Sequence, residues 1–364
     1  MKVLITGADG FIGKNLQLFL QEANIPFDKY TKENTPSELE EKLKSSSYII
    51  HLAGVNRPES PQEFFEGNTD LTKTIIDLLN KNNLNIPLIF SSSIQAELDN
   101  DYGKSKRLAE DYILNNYPAG IVFRLHNVFG KGCRPNYNSV VATFCDNLAH
   151  RKDITVSEPD RVLELIYIDD ICKTFLNLIT SKTQPKTPYN YVEPVKKIKL
   201  KDLADLLTDF SQNIHSIDVP RTGDPFIKKL FSTFISYCDL NDLVFSAKEN
   251  IDERGLFSEL IRTKDSGQFS VSTSKPGVVR GNHYHHTKIE KFIVIKGSAT
   301  ISMRKLDEET IHKFKVSGDK LQIVTIPVGY THNIKNTGDD EMILLIWSNE
   351  LFDQNNPDTF YKEV

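Results

Sequence analysis

Three glycines at a spacing of three, Gly7, Gly10 and Gly13, follow at once on the apolar run Val3-Leu4-Ile5 and precede helical periodicity over residues 11 to 22. Glycine is needed where a chain turns at positive φ or where backbone passes too close for a Cβ. An apolar strand, a glycine turn and a helix in that order predict the first strand–turn–helix unit of a parallel sheet. Such a turn presents free backbone N–H groups at a helix start, an arrangement that suits a pyrophosphate. Gly7, Gly10, Phe11, Ile12 and Gly13 are its candidate binding residues. The N-terminal run is too short for a secretion signal and lacks a small-residue cleavage site, so it reads as a strand.

The same alternation continues. Tyr48-Ile49-Ile50-His51-Leu52, Ile86-Pro87-Leu88-Ile89-Phe90 and Gly120-Ile121-Val122-Phe123-Arg124 read as strands, and residues 102 to 116 as a helix. Apolar strands alternating with helices imply a parallel sheet covered on both faces. Lys182-Thr183-Gln184-Pro185-Lys186-Thr187-Pro188 reads as a loop. Near residue 250 the pattern changes to short strands separated by Gly and Pro, among them residues 268–272, 291–295 and 341–347. That is the signature of an all-β barrel or jelly roll. The polar stretch Ser246-Ala247-Lys248-Glu249-Asn250 places the boundary, giving an α/β domain over 1–245 and an all-β domain over 246–364.

Hydrophobic residues make up 39% of the 364 and charged residues 26%, enough apolar material for two cores. A net charge of -5 argues against a nucleic acid or an anionic membrane as partner. No apolar run reaches the roughly 18–20 residues of a membrane span. Cys133, Cys145, Cys172 and Cys238 are scattered without a CxxC pair, the usage of a reduced cytosol, and the expected location is cytoplasmic.

Chemistry concentrates in two places. In the first domain His51-Leu52-Ala53-Gly54 ends a strand in small residues, so Leu52 and Ala53 are expected close to a nicotinamide ribose. Ser91-Ser92-Ser93 ends the next strand, at the sheet edge where open α/β folds bind ligands. Tyr102-Gly103-Lys104-Ser105-Lys106 puts a phenol and an ammonium one helical turn apart on one face. The ammonium is expected to lower the tyrosine pKa, so that the phenol exchanges a proton with a carbonyl oxygen as hydride moves to carbon. These motifs, with Arg124-Leu125-His126-Asn127-Val128-Phe129-Gly130 and Tyr167-Ile168-Asp169-Asp170, resemble the extended short-chain dehydrogenase/reductase family over residues 1 to 240. The resemblance implies a Rossmann-type fold. It also implies a Ser93, Tyr102 and Lys106 triad, with Ser92 an alternative to Ser93, and Asn127 as a substrate contact. The acidic residue that would bind an NAD ribose is matched only by Asp28, whereas Lys29 and Lys32 stand where a 2′-phosphate would sit; NADPH is the expected cofactor.

The second place is Gly277-x5-His283-x-His285-x4-Glu290-x6-Gly297, followed by Pro327-x-Gly329-x2-His332-x3-Asn336. His283 and His285, two apart on a strand, project to one face. Thr287 and Lys288 turn the chain so that Glu290 returns on the neighbouring strand, and His332 completes three imidazoles and a carboxylate. Such a set suits Zn, Mn, Fe or Ni. By parity Tyr284 and His286 point away. The pair of motifs resembles the two cupin signatures, with Leu321 where the second usually has glycine. His51, His126, His150, His215 and His312 read as structural or solvent-facing, and Tyr330 as packing.

A hydride site and a metal site on one chain suggest two linked steps. A proton beside a ketone is removable if the enolate is stabilised, and reducing the ketone afterwards fixes the new configuration. Segments 54–58, 91–96, 135–140 and 281–288 make the whole chain resemble the bifunctional capsular-polysaccharide enzymes of UDP-N-acetyl-L-fucosamine synthesis. That resemblance implies zinc, a homodimer and a UDP-2-acetamido-2,6-dideoxy-4-hexulose substrate. The cupin would epimerise C3, and the reductase would reduce C4 with NADPH to UDP-2-acetamido-2,6-dideoxy-L-talose. Two alternatives remain: a single-activity reductase with a non-catalytic cupin, and a nucleotide-sugar sensor or scaffold.

Overall fold

The computed structural model describes residues 1–181, 185, 187–263, 265–355 and 357–364; Lys182, Thr183, Gln184 and Lys186 of the expected loop lie outside the described residues. Two compact units emerge, one of Met1–Asp209 with Lys229–Cys238, the other of Phe210–Lys228 with Asp239–Val364.

In the first unit β1 (Val3–Thr6), α1 (Phe11–Glu22), β2 (Phe27–Tyr30), α2 (Pro36–Lys44), β3 (Tyr48–His51), α3 (Pro61–Phe64), α4 (Leu71–Lys81), β4 (Leu88–Ser93), α5 (Asp101–Asn116) and β5 (Gly120–Leu125) follow one another. The parallel sheet runs β2-β1-β3-β4-β5, with Tyr189–Asn190 at its edge. Val3 and Ile5 face a core with Leu16, Leu20, Ile50, Phe123 and Phe175. Leu4 faces the opposite core with Leu39, Leu43, Ile49, Leu79 and Phe90. Because both sheet faces are covered, every residue of β1 is buried, which is why it reads as an unbroken apolar run rather than an alternating one. Each fully buried Leu, Ile or Phe contributes roughly 1.5–3 kcal/mol. The strand order reverses between β1 and β3, so a crevice opens beyond Thr6 and His51 at the carboxyl edge. Asn127–Phe129 pairs in parallel with Val162–Tyr167 in a separate small sheet that carries Asn127.

The second unit is the expected all-β, cupin-type barrel. One of its sheets orders strands Asp218–Val219, Gly255–Thr263, Gly267–Ser274, Met342–Ser348, Glu290–Lys296 and Ile323–Ile326, with Asn250–Asp252 beside the second. The other orders Ile311–Ser317, Ser298–Lys305, Tyr330–Asn336, Val279–Tyr284 and Phe360–Tyr361. Phe292, Val294 and Leu344 of the first sheet pack with Ile301, Met303 and Ile334 of the second. Alternation is clearest in Ser298–Lys305, where Ala299, Ile301 and Met303 are buried and the residues between them only partly so. Among the described residues no helix is long and apolar enough to cross a membrane.

One buried ion pair ties α5 to the sheet. Glu110 is fully withdrawn from solvent and accepts from Arg124 Nε at 3.0 Å and Nη2 at 2.7 Å. Arg124 Nη1 also reaches Glu97, whose side chain is 64% exposed. Removing one partner of a buried pair strands the other charge, so Arg124→Ala is expected to cost about 3–5 kcal/mol in urea unfolding. Glu97→Ala should cost less than about 1 kcal/mol; equal losses would show that the buried carboxylate is not the element that matters.

Candidate functional site

The glycine turn is built as its spacing demands. Gly7 has φ +68°, and a Cβ there would lie 2.6 Å from the backbone nitrogen of Ala53. A Cβ on Gly13 would lie 2.6 Å from the carbonyl oxygens of Gly7 and Ala8. No side chain caps the start of α1 at Gly10, which leaves its first N–H groups facing the crevice. A cavity of about 720 Å³ opens there, lined by Gly7, Gly10, Phe11, Ile12, Gly13, Leu52, Ser93, Tyr102, Lys106 and Asn127 among others. Ala53 enters differently: its backbone packs on Gly7 and its N–H donates to Thr6 Oγ1 at 3.3 Å.

At the sheet end the three serines sort by alternation. Ser91 Oγ donates to the His51 carbonyl at 3.3 Å, Ser92 Oγ is buried without a hydrogen-bond partner, and Ser93 bonds the Tyr102 hydroxyl. Of the two serines left open by the sequence, Ser93 is the one that reaches the phenol. Lys106 is buried; its Nζ donates to the Ser91 carbonyl at 3.1 Å and sits 4.9 Å from the Phe90 ring centroid. Burial pulls the Lys106 pKa down to about 8, although Glu110 works to raise it. The expected lowering of the tyrosine is not what this geometry produces. Burial pushes Tyr102 up to about 12, against a smaller downward pull from the Ser93 hydrogen bond. With the ammonium engaged by Ser91, desolvation of the phenolate outweighs its attraction.

His51 is structural: wholly buried, it bonds Thr6 Oγ1 at 2.6 Å and Thr72 Oγ1 at 2.9 Å, and burial lowers its pKa to about 3, keeping it neutral. Asp28 pairs with Lys2 at 2.5 Å; neither it nor the exposed Lys29 and Lys32 lines the cavity. Sequence reasoning missed Asn68, on the π-helical stretch Phe65–Asp70. It donates to Ser105 Oγ at 3.0 Å, and its Oδ1 accepts from the Val55 N–H at 2.9 Å. It also missed Arg134 and Arg161, which bring cationic groups to the cavity wall. No local pattern flags Asn68, because its partners Val55 and Ser105 are distant in sequence.

In the second unit His283, His285, Glu290 and His332 each offer a ligand atom, and these atoms lie within 4.8 Å of one another. His283 stands directly opposite His332 in the ladder, with ring centroids 4.6 Å apart. Glu290 does not return on a strand next to His283. The chain crosses between sheets at residues 285–289, so Glu290 opens a strand of the other sheet. Its Oε2 lies 3.4 Å from His285 Nε2 and 3.2 Å from His332 Nε2. Burial works to raise the Glu290 pKa, but the two imidazoles hold it well below the usual carboxylate range. Burial lowers His283 to about 4, so its imidazole is neutral and able to ligate. His285 Nε2 is buried with no hydrogen-bond partner. Three imidazoles and a carboxylate around an unpartnered nitrogen fit a divalent transition metal. Tyr284 faces away and stacks on Phe360, and His286 is exposed, as parity predicts.

Comparison with known proteins agrees with this division. Residues 3–192 match the NAD dependent epimerase/dehydratase family and residues 250–360 the polysaccharide biosynthesis C-terminal domain. A UDP-2-acetamido-2,6-beta-L-arabino-hexul-4-ose reductase of Pseudomonas aeruginosa is 42% identical over 99% of this chain and 98% of its own length. The crystal structure of capsular polysaccharide assembling protein CapF from Staphylococcus aureus superposes with a TM-score of 0.90 at 42% identity, covering both chains fully. A Thermus thermophilus UDP-glucose 4-epimerase, at 17% identity, TM-score 0.51 and coverage of 58% of this chain and 84% of its own, shares the fold. The chain thus belongs to the NAD dependent epimerase/dehydratase family and, along its whole length, to the CapF family of capsular-polysaccharide-assembling proteins.

Proposed function

We propose that this protein is a bifunctional enzyme of capsular nucleotide-sugar synthesis acting on UDP-2-acetamido-2,6-dideoxy-4-hexulose. In this reading the barrel inverts C3 and the Rossmann-type unit reduces C4, giving UDP-2-acetamido-2,6-dideoxy-L-talose. The observation that carries the proposal is the Ser93–Tyr102 hydrogen bond beside Lys106 in the first-unit cavity, on a chain whose other unit gathers four metal ligands. The 42% identity to a protein named as a 4-hexulose reductase supports the substrate class.

The glycine turn would hold NADPH, whose chemistry there would be to provide a hydride for C4. Gly7, Gly10 and Gly13 would let the backbone approach its pyrophosphate, and Leu52 lines the same cavity. Asp28, the acidic residue that would match an NAD ribose, is instead paired with Lys2 at 2.5 Å, which supports NADPH over NADH. Tyr102 donates its proton to the C4 oxygen, Ser93 orients the phenol and the same oxygen, and the Lys106 charge stabilises the phenolate left behind. Arg134 and Arg161 suit the diphosphate of the substrate, and Asn127 a polar contact to it. In the barrel His283, His285, Glu290 and His332 would hold zinc, which acts as a Lewis acid toward an enolate oxygen. Exposed Ile261, Phe269, Ile295 and Ile323 on one barrel sheet suit a second copy, and a cytoplasmic homodimer is part of the proposal.

Product formed in deuterated water from the 4-keto UDP-sugar, NADPH and enzyme is expected to carry deuterium at an inverted C3 and a reduced C4 by NMR. Protium at a retained C3 would leave the barrel a non-catalytic module. His285→Ala should lose C3 exchange and keep hydride transfer. Tyr102→Phe should lower kcat/KM for reduction by about 10²–10⁴-fold. Since Lys106 loses its charge above about 8 while Tyr102 stays protonated to about 12, kcat/KM for reduction should fall as pH rises through about 8. A rate constant to pH ~10 would exclude a role for the lysine charge.

A further inference from the structure

The ligand-bearing segments of the barrel are gripped by a single short stretch near the C-terminus. Asp358 lies far from the His-x-His motif in sequence, yet its carboxylate accepts from the backbone N–H groups of His286, Thr287 and Lys288, each at 2.9 Å, and from the Thr287 hydroxyl at 3.0 Å. Its own carbonyl accepts from His285 Nδ1 at 2.6 Å. The residues around it reinforce the grip. Lys288, itself buried, donates to the Pro357 carbonyl at 2.8 Å and to Thr359 Oγ1 at 3.2 Å. Tyr361 pairs with His283 in the ladder, and the Lys362 N–H donates to the Asn282 carbonyl at 2.9 Å.

An imidazole can offer a lone pair to a cation from only one nitrogen while the other keeps its proton. A carbonyl only accepts, so the short bond to Asp358 keeps the proton on His285 Nδ1. Nε2 is left with the lone pair, buried, without a hydrogen bond and 3.4 Å from Glu290 Oε2. The corresponding contact of His332, from Nδ1 to the Tyr330 carbonyl, is longer at 3.4 Å. His285 is therefore the ligand whose tautomer and ring orientation depend most on a residue outside the motif. The carbonyl that sets them is held in place by the four bonds that the same residue's carboxylate makes to the 286–288 turn.

We infer that Asp358 is a positioning residue of the metal centre: its carboxylate clamps the 286–288 turn so that its carbonyl fixes His285 with Nε2 free to ligate. This rests on the reading that the three histidines and Glu290 bind a divalent metal. Partners of this kind typically change metal affinity by 10–100-fold when removed.

The test uses the full chain, stripped of metal and titrated with zinc against a chromophoric chelator, and with cobalt(II) for its visible spectrum. Asp358→Ala and Asp358→Asn are expected to bind zinc about 10–100-fold more weakly than the unaltered protein. Their cobalt band should also change in position or intensity, with the far-UV circular dichroism of the barrel retained. Asp358→Asn keeps the shape of the side chain but cannot accept at its amide nitrogen, so it decides the matter if Asp358→Ala fails to fold. Unaltered zinc affinity and cobalt spectrum in folded Asp358→Asn would overturn the inference while leaving the metal site intact. If the unaltered protein binds zinc no better than His285→Ala does, the metal reading itself fails and the role of Asp358 falls with it.

Discussion

The Glu110 carboxylate, with no solvent exposure in the middle of α5, must be matched by cations, and it draws them from two directions. Arg124 reaches it from β5 through two nitrogens, and Lys106 stands one helical turn before it on the same helix. A charge withdrawn from water costs several kcal/mol unless it is paired and hydrogen-bonded. The pairing therefore pins α5 against the sheet in one register. That register brings Tyr102 to Ser93 at the end of β4 and sets Lys106 Nζ against the Ser91 carbonyl. The Tyr102 phenol owes its place to an ion pair that does not itself touch the cavity.

The barrel solves a related problem with imidazole donors. His283, His285 and His332 are withdrawn from solvent to different degrees, and a cluster of imidazoles would repel itself if protonated. Burial and mutual repulsion keep His283 unprotonated, while the negative charge of Glu290 is stabilised by the rings around it. The tight turn at 285–289 carries the chain from one sheet to the other, so candidate ligands from both sheets converge. Asp358 completes that turn by satisfying backbone donors that a crossover leaves without ladder partners.

Features that depend on a few adjacent residues were legible. The glycine turn could be read because positive φ and close approach allow no other residue; Gly7 shows both demands and Gly13 the second. Tyr102 and Lys106 share a face because a helix turns in 3.6 residues, and His283 and His285 share one because a strand alternates. Ser93 could not be separated from Ser92, since three successive serines alternate faces and only the sheet's end point decides which meets α5. The direction of the Tyr102 pKa was misjudged for the same reason: spacing gives proximity to Lys106, not the direction in which Nζ points.

Local chemistry in the sequence determined the strand–turn–helix start, the change from α/β alternation to short strands, and the residue types of both sites. These are consequences of backbone sterics and side-chain periodicity, which act over a few residues. Tertiary structure alone decided that residues 210–228 group with the barrel unit and that Glu290 comes from the opposite sheet to His283 and His332. It alone brought Asn68 to Ser105 and Asp358 to His285. Those choices follow from burying polar groups with partners, and a partner far along the chain leaves no mark near the residue it holds.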